Sequence, residues 1–487
     1  MMRSRVPAEL FVLPVGESDY LVYAPLRRAA LIANAALVRF LSRLQIGEAS
    51  EDADPETAGF LRKCGILDGD EEQAPDGRPS GQPQPTTATL LLTNACNLRC
   101  GYCYAAAGQK PPEFMSMATA RRAIDFVAEN SAAAGLRRFE VDFHGAGEPT
   151  VHWKLLQEAH GYARGVARSL GLELRSSLTT NGVLPAGKRA WIVAHLNSAN
   201  VSFDGLPEVQ DANRRFPSGR GSSDLVMATL RDFDRRGFRY SIRMTVTAES
   251  APRLPQSVAF LCRRFRPRAI QVEPMYRMGR GRDAVNAETE AFVEAYRAAR
   301  RTSGKAARAL RFSGARFPTL TNRFCGSAND NFCVSPEGNI SACHEVADER
   351  QPWAERFFYG RPSPGASGFV FDEPVYTALR AHTVERLAYC AGCFAKWSCA
   401  GDCHHKALHW DADEFAGAGR CDVIRALTKD QILEKIASSG GVFWQGTASG
   451  PEIAARRPSV NPCCDGRNEL ERRPQYVTAG EGNEYRL

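Results

Sequence analysis

Short apolar runs alternate with longer amphipathic stretches over residues 89–311. Six runs have the length and composition of strands, at 89–93, 139–143, 174–179, 200–203, 241–246 and 270–274, and segments of helical length separate them. Repeats of strand and helix predict a parallel sheet whose right-handed crossovers curve it towards a barrel. The sequence therefore predicts an α/β fold, a partial (β/α)6 TIM-like barrel, with its chemistry at the carboxyl ends of the strands.

Smaller units flank the predicted barrel, which we place at residues 87–312. Residues 1–70 predict a small α+β domain with strands at 10–13 and 20–23, a helix capped by Asn34 and a second helix from Pro55 to Cys64. This winged-helix-like order resembles peptide-recognition domains, and a packing or dimerisation appendage is equally compatible with it. Residues 71–86 predict a linker because they contain almost no apolar side chains. Residues 313–435 predict a cysteine-rich domain, and residues 436–487 a polar C-terminal tail.

Charge and composition narrow the possible partners. The 487 residues carry a formal net charge of +7, from 62 Lys and Arg against 55 Asp and Glu, and this mild excess does not require a nucleic-acid partner. No run is long enough for a transmembrane helix, and the first residues lack the apolar core of a secretory signal. We therefore expect a cytoplasmic protein without a membrane partner. In that reducing compartment, 15 cysteines favour metal or cluster ligation over disulfides.

Three cysteines follow the first predicted strand at the spacing Cys96-x3-Cys100-x2-Cys103. A four-iron cluster needs one ligand for each iron, so three cysteines would leave one iron open to an outside ligand. The same three thiols could instead form part of a zinc site. The ends of the next strands bear on this choice.

Those strand ends carry small and polar residues. After the second strand the chain reads His144-Gly-Ala-Gly-Glu148, where small residues let the backbone approach a ligand and one carboxylate can accept from an ammonium group. The third and fourth strands end in Asn181-Gly and Asp204-Gly, which are common turns when they occur alone. Motifs at four successive strand ends predict one shared site.

Together these motifs resemble the radical S-adenosylmethionine (radical SAM) superfamily. The resemblance implies that Cys96, Cys100 and Cys103 hold a catalytic 4Fe-4S cluster, whose open iron chelates S-adenosylmethionine and whose electron breaks the sulfonium to give a 5'-deoxyadenosyl radical. The chain departs from the family's Gly-Gly-Glu motif by having Ala146 in the first glycine position, and Glu148 is still expected at the cofactor's amino group. The residues that the resemblance implies in cofactor binding are Tyr102, Gly145, Gly147, Glu148, Thr180, Asn181, Ser202, Asp204 and Arg214.

A second field of cysteines follows the barrel, at Cys325, Cys333, Cys343, Cys390, Cys393, Cys399, Cys403 and Cys421. A zinc ribbon would explain Cys390 to Cys403 and leave the others without a role. The pattern without Cys333 resembles the SPASM iron-sulfur domain, which implies two auxiliary 4Fe-4S clusters. The nearer would be held by Cys325, Cys333, Cys343 and Cys403, and the farther by Cys390, Cys393, Cys399 and Cys421. If Cys333 is not a ligand, the nearer cluster has an open iron.

The resemblance implies a radical SAM maturase that abstracts hydrogen from a ribosomally synthesised precursor peptide and forms a thioether or carbon-carbon crosslink, with the auxiliary clusters accepting an electron. Its expected partners are that peptide and a flavodoxin- or ferredoxin-type reductant. One alternative is formylglycine formation, as in anaerobic sulfatase maturases, although these carry an Asp where this chain has His344. Another is a non-catalytic iron-sulfur electron-transfer or scaffold protein. The adjacent Cys463 and Cys464 in the tail are either incidental or have a redox or ligand role.

Overall fold

The computed structural model describes residues 6–46, 55–69, 72–75, 77, 79–285, 287–365, 368–409 and 419–444. Cys463 and Cys464 lie outside the described residues. Within these ranges, no helix combines the length and the apolar character needed to cross a lipid bilayer. The strands of the described chain form a four-stranded sheet and an 11-stranded sheet.

The smaller sheet joins the two ends of the described chain. Its strands pair antiparallel in the order β1 (Phe11–Pro14), β2 (Asp19–Ala24), β3 (Ala29–Asn34) and β15 (Val442–Trp444). Helices α1 (Ala35–Gln45) and α2 (Pro55–Lys63) follow β3. The side chain of Asn34 accepts a hydrogen bond from the N–H of Leu37 over 2.9 Å, which satisfies a donor that the first turn of α1 would leave free. The predicted helix cap at Asn34 is therefore confirmed.

The larger sheet contains all six predicted strands, with ends shifted by at most two residues. They are β4 (Thr87–Leu91), β5 (Arg138–His144), β6 (Glu173–Thr180), β7 (Ser198–Ser202), β8 (Tyr240–Val246) and β9 (Ala269–Pro274), paired in parallel in chain order. The helices between and after them are α3 (Met117–Ala133), α4 (Trp153–Leu170), α5 (Ala186–His195), α6 (Pro207–Asn213), α7 (Ser223–Arg235), α8 (Leu254–Arg264) and α9 (Thr289–Lys305).

Burial alternates along the middle strands of this sheet, β5 to β8. In β5, Phe139, Val141 and Phe143 are fully buried, whereas Asp142 and His144 are only half-buried. Successive side chains of a strand point to opposite faces, so the apolar set packs against the covering helices. The polar side chains, such as Asp142 and His144, therefore lie on the opposite, inner face of the curved sheet.

The larger sheet continues into the region of the second cysteine field, where Cys333, alone among the eight cysteines, lies on one of its strands. Strand β10 (Ala309–Arg311) pairs with β9, and β11 (Phe332–Val334) pairs with β4, both in parallel. The sheet ends with the antiparallel strands β12 (Ile340–Ser341), β13 (Phe358–Pro362) and β14 (Phe369–Phe371). In the described residues of this region the α-helices are α10 (Glu373–Arg380), α11 (Lys396–Cys399), α12 (His404–Ala407) and α13 (Arg420–Ser438). Cys333 on β11 lies directly opposite Thr89 on β4.

Seven strands of the described chain have no counterpart in the sequence-based prediction, namely β3, β10, β11, β12, β13, β14 and β15. Strand β3 is an alanine-rich run, β10 adds a seventh parallel strand beside β9, and β15 falls in the segment predicted as a polar tail. Strand β15 pairs with β3 from the far end of the chain. Strand formation at these places depends on tertiary pairing rather than on local pattern.

Candidate active site

The first three cysteines lie in a loop that follows β4. All three are free thiols and partly buried. Burial, together with the nearby charges of Glu148, Cys100 and Cys103, raises the pKa of Cys96 to about 12. The structure thus brings the three predicted thiols together. Ionising all of them requires a nearby cationic group, such as the iron of a cluster.

The loop after β5 is joined to this cysteine loop through its backbone. The N–H of Gly147 donates to the carbonyl of Thr93 over 3.0 Å, and the N–H of Glu148 donates to the carbonyl of Ala95 over 2.8 Å. A Cβ added at Gly147 would lie 2.0 Å from the Ala95 oxygen, and one at Gly145 would lie 3.1 Å from the Thr93 oxygen. Only glycine therefore fits at position 147.

Ala146 stands between these two glycines without conflict. It packs beside Leu91, Cys333 and Ala347, and it lines a small cavity between the barrel and the second cysteine field. The methyl group in the first glycine position of the motif is thus accommodated on the side away from the Ala95 carbonyl.

Glu148 is buried and its carboxylate is held by four donors. Oε1 accepts from the hydroxyl and N–H of Thr150 over 2.7 and 3.2 Å and from the hydroxyl of Thr180 over 2.8 Å. Oε2 accepts from the N–H of Asn181 over 2.7 Å. Burial raises the pKa of this carboxyl, and the hydrogen bonds oppose the rise. A carboxylate oxygen has two lone pairs, so Oε2 retains one acceptor position.

Asn181 connects the end of β6 to the cysteine loop. Its side-chain amide donates to Oδ1 of Asn97 over 2.7 Å and lies 3.9 Å from the sulfur of Cys96. Its own Oδ1 accepts from the N–H of Val183 over 3.0 Å. The predicted residues Thr180 and Asn181 thus contact two other predicted groups, Glu148 and the first thiol.

Tyr102, Asp204 and Arg214 form a buried cluster beneath the cysteine loop. The guanidinium of Arg214 donates two hydrogen bonds of 3.2 Å to Asp204 and lies 5.2 Å from the ring centre of Tyr102. The Tyr102 hydroxyl donates to Asp204, and the N–H of Thr245 donates to Oδ1 of Asp204 over 3.0 Å. Because both oxygens of Asp204 are engaged, this cluster fixes the loop between Cys100 and Cys103.

The backbone around Arg214 adds to this support. The N–H of Arg99 donates to the carbonyl of Arg215 over 2.6 Å, and the N–H of Gly101 donates to that of Asn213 over 3.0 Å. Ser202, another predicted residue, ends β7 in register with Arg243 of β8. The segment from Ser202 to Arg215 therefore packs against the cysteine loop and stabilises it through backbone hydrogen bonds.

Several residues at the mouth of the barrel were not predicted. Burial raises the pKa of Tyr104 well above its usual value, and the nearby groups Glu345, Cys103 and Cys343 contribute to the rise, so Tyr104 lies near a cysteine of each field. The rings of His144 and His344 are 4.7 Å apart. In the sequence, Tyr104 is marked only by directly following Cys103, whereas His344 is marked by standing where anaerobic sulfatase maturases carry an Asp.

The second cysteine field separates into two groups of thiols. Burial raises the pKa of Cys343 well above its usual value, and the charges of Glu345, Cys403 and Cys325 add to the rise. Burial, together with the nearby thiols of Cys393 and Cys421, raises the pKa of Cys390 to about 12. Cys399 interacts with Cys390 in the same way. Neighbouring thiols thus group as Cys325, Cys343 and Cys403 and as Cys390, Cys393, Cys399 and Cys421.

Cys333 is fully buried beside the first group. Burial raises the pKa of its thiol, whereas hydrogen bonds from Thr89 and from Asn331, the latter at 3.2 Å, lower it, and Cys325 raises it. Among the residues that the structure describes, no three His, Cys, Asp or Glu side chains have the arrangement that holds a single metal ion. Cluster ligation by these cysteines remains a prediction that their grouping supports.

Part of the chain matches a known protein family. A model of the radical SAM superfamily matches residues 90–251. The chain is 29% identical over 181 residues to the pre-heme d1 synthase of Dinoroseobacter shibae, covering 36% of this chain and 40% of that one. It is 25% identical over 169 residues to the sporulation killing factor maturation protein SkfB of Bacillus subtilis, covering 34% and 37%. The match spans 57% or less of such curated relatives.

A solved structure shares the fold more completely. The structure of hexahistidine-tagged anSMEcpe with bound AdoMet has a TM-score of 0.57 at 15% identity and covers 73% of this chain and 96% of that chain. The native form with bound AdoMet and Cp18Cys peptide has a TM-score of 0.55 at 14% identity, covering 72% and 99%. The candidate residues from Cys96 to Arg214 lie inside the family match, and the second cysteine field lies outside it.

Proposed function

The chain carries a radical SAM domain at residues 90–251, and on that basis we propose that it is a radical SAM enzyme that modifies a ribosomally synthesised peptide. The observation that carries the proposal is the convergence of three neighbouring thiols, Cys96, Cys100 and Cys103, with the Glu148 carboxylate. When bound, the first cluster would supply the electron that cleaves S-adenosylmethionine. Bond formation in the peptide releases an electron, and auxiliary clusters would accept it.

The residues of this chain divide the binding of S-adenosylmethionine between them. Oε2 of Glu148 would accept from the ammonium group of the methionine part, while Thr150, Thr180 and Asn181 hold the carboxylate in place. Gly145 and Gly147 keep the backbone close to the cysteine loop. Ser202, Asp204 and Arg214 would position Tyr102 and that loop, and Tyr102 would contribute to binding of the adenine.

The second cysteine field fits two auxiliary clusters. The nearer cluster would be held by Cys325, Cys333, Cys343 and Cys403, and the farther one by Cys390, Cys393, Cys399 and Cys421. Within each set, neighbouring thiols lie close enough to raise one another's pKa. Tyr104 lies near both Cys103 and Cys343. The substrate would therefore be held between the first and the nearer auxiliary cluster, at the mouth of the barrel.

A peptide is the substrate class that the comparisons support. Structures that share this fold include anSMEcpe with a bound peptide, and SkfB is named a maturation protein. In this proposal the small N-terminal domain recognises the precursor peptide, and a flavodoxin- or ferredoxin-type protein supplies electrons in the cytoplasm. The modification proposed is a thioether or carbon-carbon crosslink, which removes two hydrogens from the peptide.

Formylglycine formation is the second candidate. The expected acidic residue directly after Cys343 is replaced by His344, but Glu345 follows it and accepts from His405 over 3.2 Å and from Lys406 over 3.5 Å. A buried carboxylate beside Tyr104 thus stands one position later than in the sulfatase maturases. A scaffold protein without catalysis is the third reading, and the intact set of Cys96, Cys100, Cys103 and Glu148 argues against it.

The test is anaerobic co-expression with the shortest peptide encoded beside this gene, followed by intact-mass measurement of that peptide. A crosslinking maturase removes hydrogen in pairs, and fragmentation locates the new bond. The Cys96→Ala variant should leave the mass unchanged, and Cys262→Ala, which removes a half-buried thiol outside both fields, should behave as the parent. An unmodified peptide in the parent, with full iron content, would contradict the proposed crosslink.

A further inference from the structure

Arg316 makes an unusual set of contacts in the second cysteine field. Its Nε donates to the carbonyl of Ser398 over 2.9 Å, Nη1 to the carbonyl of Phe324 over 2.6 Å and Nη2 to the carbonyl of Cys399 over 2.8 Å. The carbonyls of Phe324 and Ser398 belong to the peptide bonds that enter Cys325 and Cys399. One guanidinium is therefore anchored to the backbone at one cysteine of each thiol group.

The charge of Arg316 is not matched by a carboxylate. Arg214, Arg380 and Arg420, each more than nine-tenths buried, pair with a carboxylate: Arg214 with Asp204, Arg380 with Asp330 and Arg420 with Asp402. Within the described part of the chain, no ion pair includes Arg316. Its neighbouring charges are Cys399, Cys325 and Asp402, and Asp402 is already engaged by Arg420.

Placing the Arg316 cation in this partly buried position costs free energy unless an anion lies nearby. A half-buried cation without a partner loses hydration that backbone carbonyls replace only in part. A guanidinium has five N–H donors, so two remain beyond the three carbonyls. The groups that stand beside it are thiols that become anionic when they bind iron.

We propose that Arg316 is the shared counter-cation of the two auxiliary clusters. The inference rests on the proposed function, because it requires that Cys325 and Cys399 ligate two different clusters. A fixed positive charge next to a cluster stabilises its reduced, more negative state and thereby raises its reduction potential. Arg316 sets the potentials of both clusters and is a positioning residue rather than a catalytic one.

The test compares Arg316→Gln, which removes the charge, with Arg316→Lys, which keeps it and loses the planar fork. Both are made in a parent that also carries Cys96→Ala, Cys100→Ala and Cys103→Ala, so that only auxiliary clusters contribute to the spectra. Arg297→Gln is the matched control, because Arg297 pairs with Asp430 on α13 over 2.7 Å, away from the thiols. Iron content is measured after anaerobic reconstitution, and reduced cluster is counted by electron paramagnetic resonance at fixed potentials.

We expect the ratio of reduced to oxidised auxiliary cluster at a fixed potential to fall about tenfold in Arg316→Gln, a shift of about 59 mV for one electron. Arg316→Lys should stay near the parent, and Arg297→Gln should equal it. Loss of iron in the Gln variant alone would also support the proposal, because the charge is then needed to hold the clusters.

Three results would overturn the proposal. An unchanged ratio in Arg316→Gln would show that the charge does not act on the clusters. Equal losses in Arg316→Gln and Arg316→Lys would assign the effect to the hydrogen-bonding fork. If the parent, in which Arg316 is intact, contains no auxiliary iron, then the chain holds no auxiliary clusters. That result would also reject the auxiliary clusters of the proposed function.

Discussion

The backbone N–H of Asn181 donates to Oε2 of Glu148 over 2.7 Å, which ties the end of β6 to the loop after β5. Every contact to the Glu148 carboxylate comes from a donor. The carboxylate is therefore oriented before any ligand arrives, and its remaining lone pair has a defined direction.

Replacing Glu148 with Gln should weaken binding of S-adenosylmethionine. The substitution removes the negative charge that attracts the ammonium group. It also places an amide N–H, which cannot accept a hydrogen bond, opposite one of the groups that donate to the Glu148 carboxylate. A hydrogen bond to a charged group contributes about 1.5–3 kcal/mol, so we expect the Kd to rise at least about tenfold in equilibrium dialysis of the reconstituted protein. Glu158→Gln is the control, because Glu158 is largely exposed on α4 and pairs with Lys154 at 3.8 Å. An unchanged Kd in Glu148→Gln would refute the assignment.

Gly147→Ala should disturb the cysteine loop, because its Cβ would lie 2.0 Å from the Ala95 carbonyl oxygen. A backbone shift in that loop should reduce both iron incorporation and S-adenosylmethionine binding several-fold. Gly161→Ala is the matched control, since nothing lies within 4 Å of its added Cβ in the middle of α4. That control should stabilise the protein by about 0.5–1 kcal/mol. Normal iron content and binding in Gly147→Ala would show that the loop tolerates the shift.

The ion pair of Asp204 and Arg214 should matter for stability even without cofactor. Asp204→Asn leaves the Arg214 cation, which is only 7% exposed, without its partner, and such a change costs about 3–5 kcal/mol. The midpoint of urea unfolding should therefore fall. The double variant Asp204→Asn with Arg214→Met should recover part of the loss. Glu208→Gln breaks an exposed pair with Arg253 and should change stability by at most about 1 kcal/mol. A larger loss in the double variant than in Asp204→Asn would contradict the account.

His160 should make the fold less stable in mild acid. Burial, together with the nearby charges of His195 and Arg164, lowers the pKa of its imidazole from 6.5 to about 4. The unfolded chain then binds a proton that the folded chain does not, so this part of the stability is present above pH 6.5 and is lost as the pH falls towards 4. The slope is at most about 1.4 kcal/mol per pH unit for one group. The drop in urea midpoint from pH 7 to pH 5 should be smaller in His160→Gln than in the parent, and an equal drop would contradict the prediction.

Local pattern accounts for much of the fold and for the residues of the first loop. The six barrel strands and the Asn34 cap could be predicted because alternation and capping are properties of neighbouring residues. Strand β3 could not, since Ala29–Asn34 is a strand only through its pairing with β2 and β15. Strand β15 pairs with residues more than 400 positions away, which no local pattern reveals.

The candidate site divides in the same way. The spacing of Cys96, Cys100 and Cys103 and the Gly-Ala-Gly-Glu148 motif are local signals. The place of Tyr104 near both Cys103 and Cys343 is not, because it follows from the packing of the second cysteine field on the mouth of the barrel. The pairing of Asp204 with Tyr102 likewise joins residues that are 102 positions apart.

The central claim is that the loop of Cys96, Cys100 and Cys103 cleaves S-adenosylmethionine. Its most direct test is the amount of 5'-deoxyadenosine formed from S-adenosylmethionine by the reconstituted protein under reducing, oxygen-free conditions. We expect formation well above the background in the parent and in Cys262→Ala, and background alone in Cys96→Ala. If the parent contains its full iron and forms no more 5'-deoxyadenosine than Cys96→Ala, the account is wrong and the chain is an iron-sulfur protein without this chemistry.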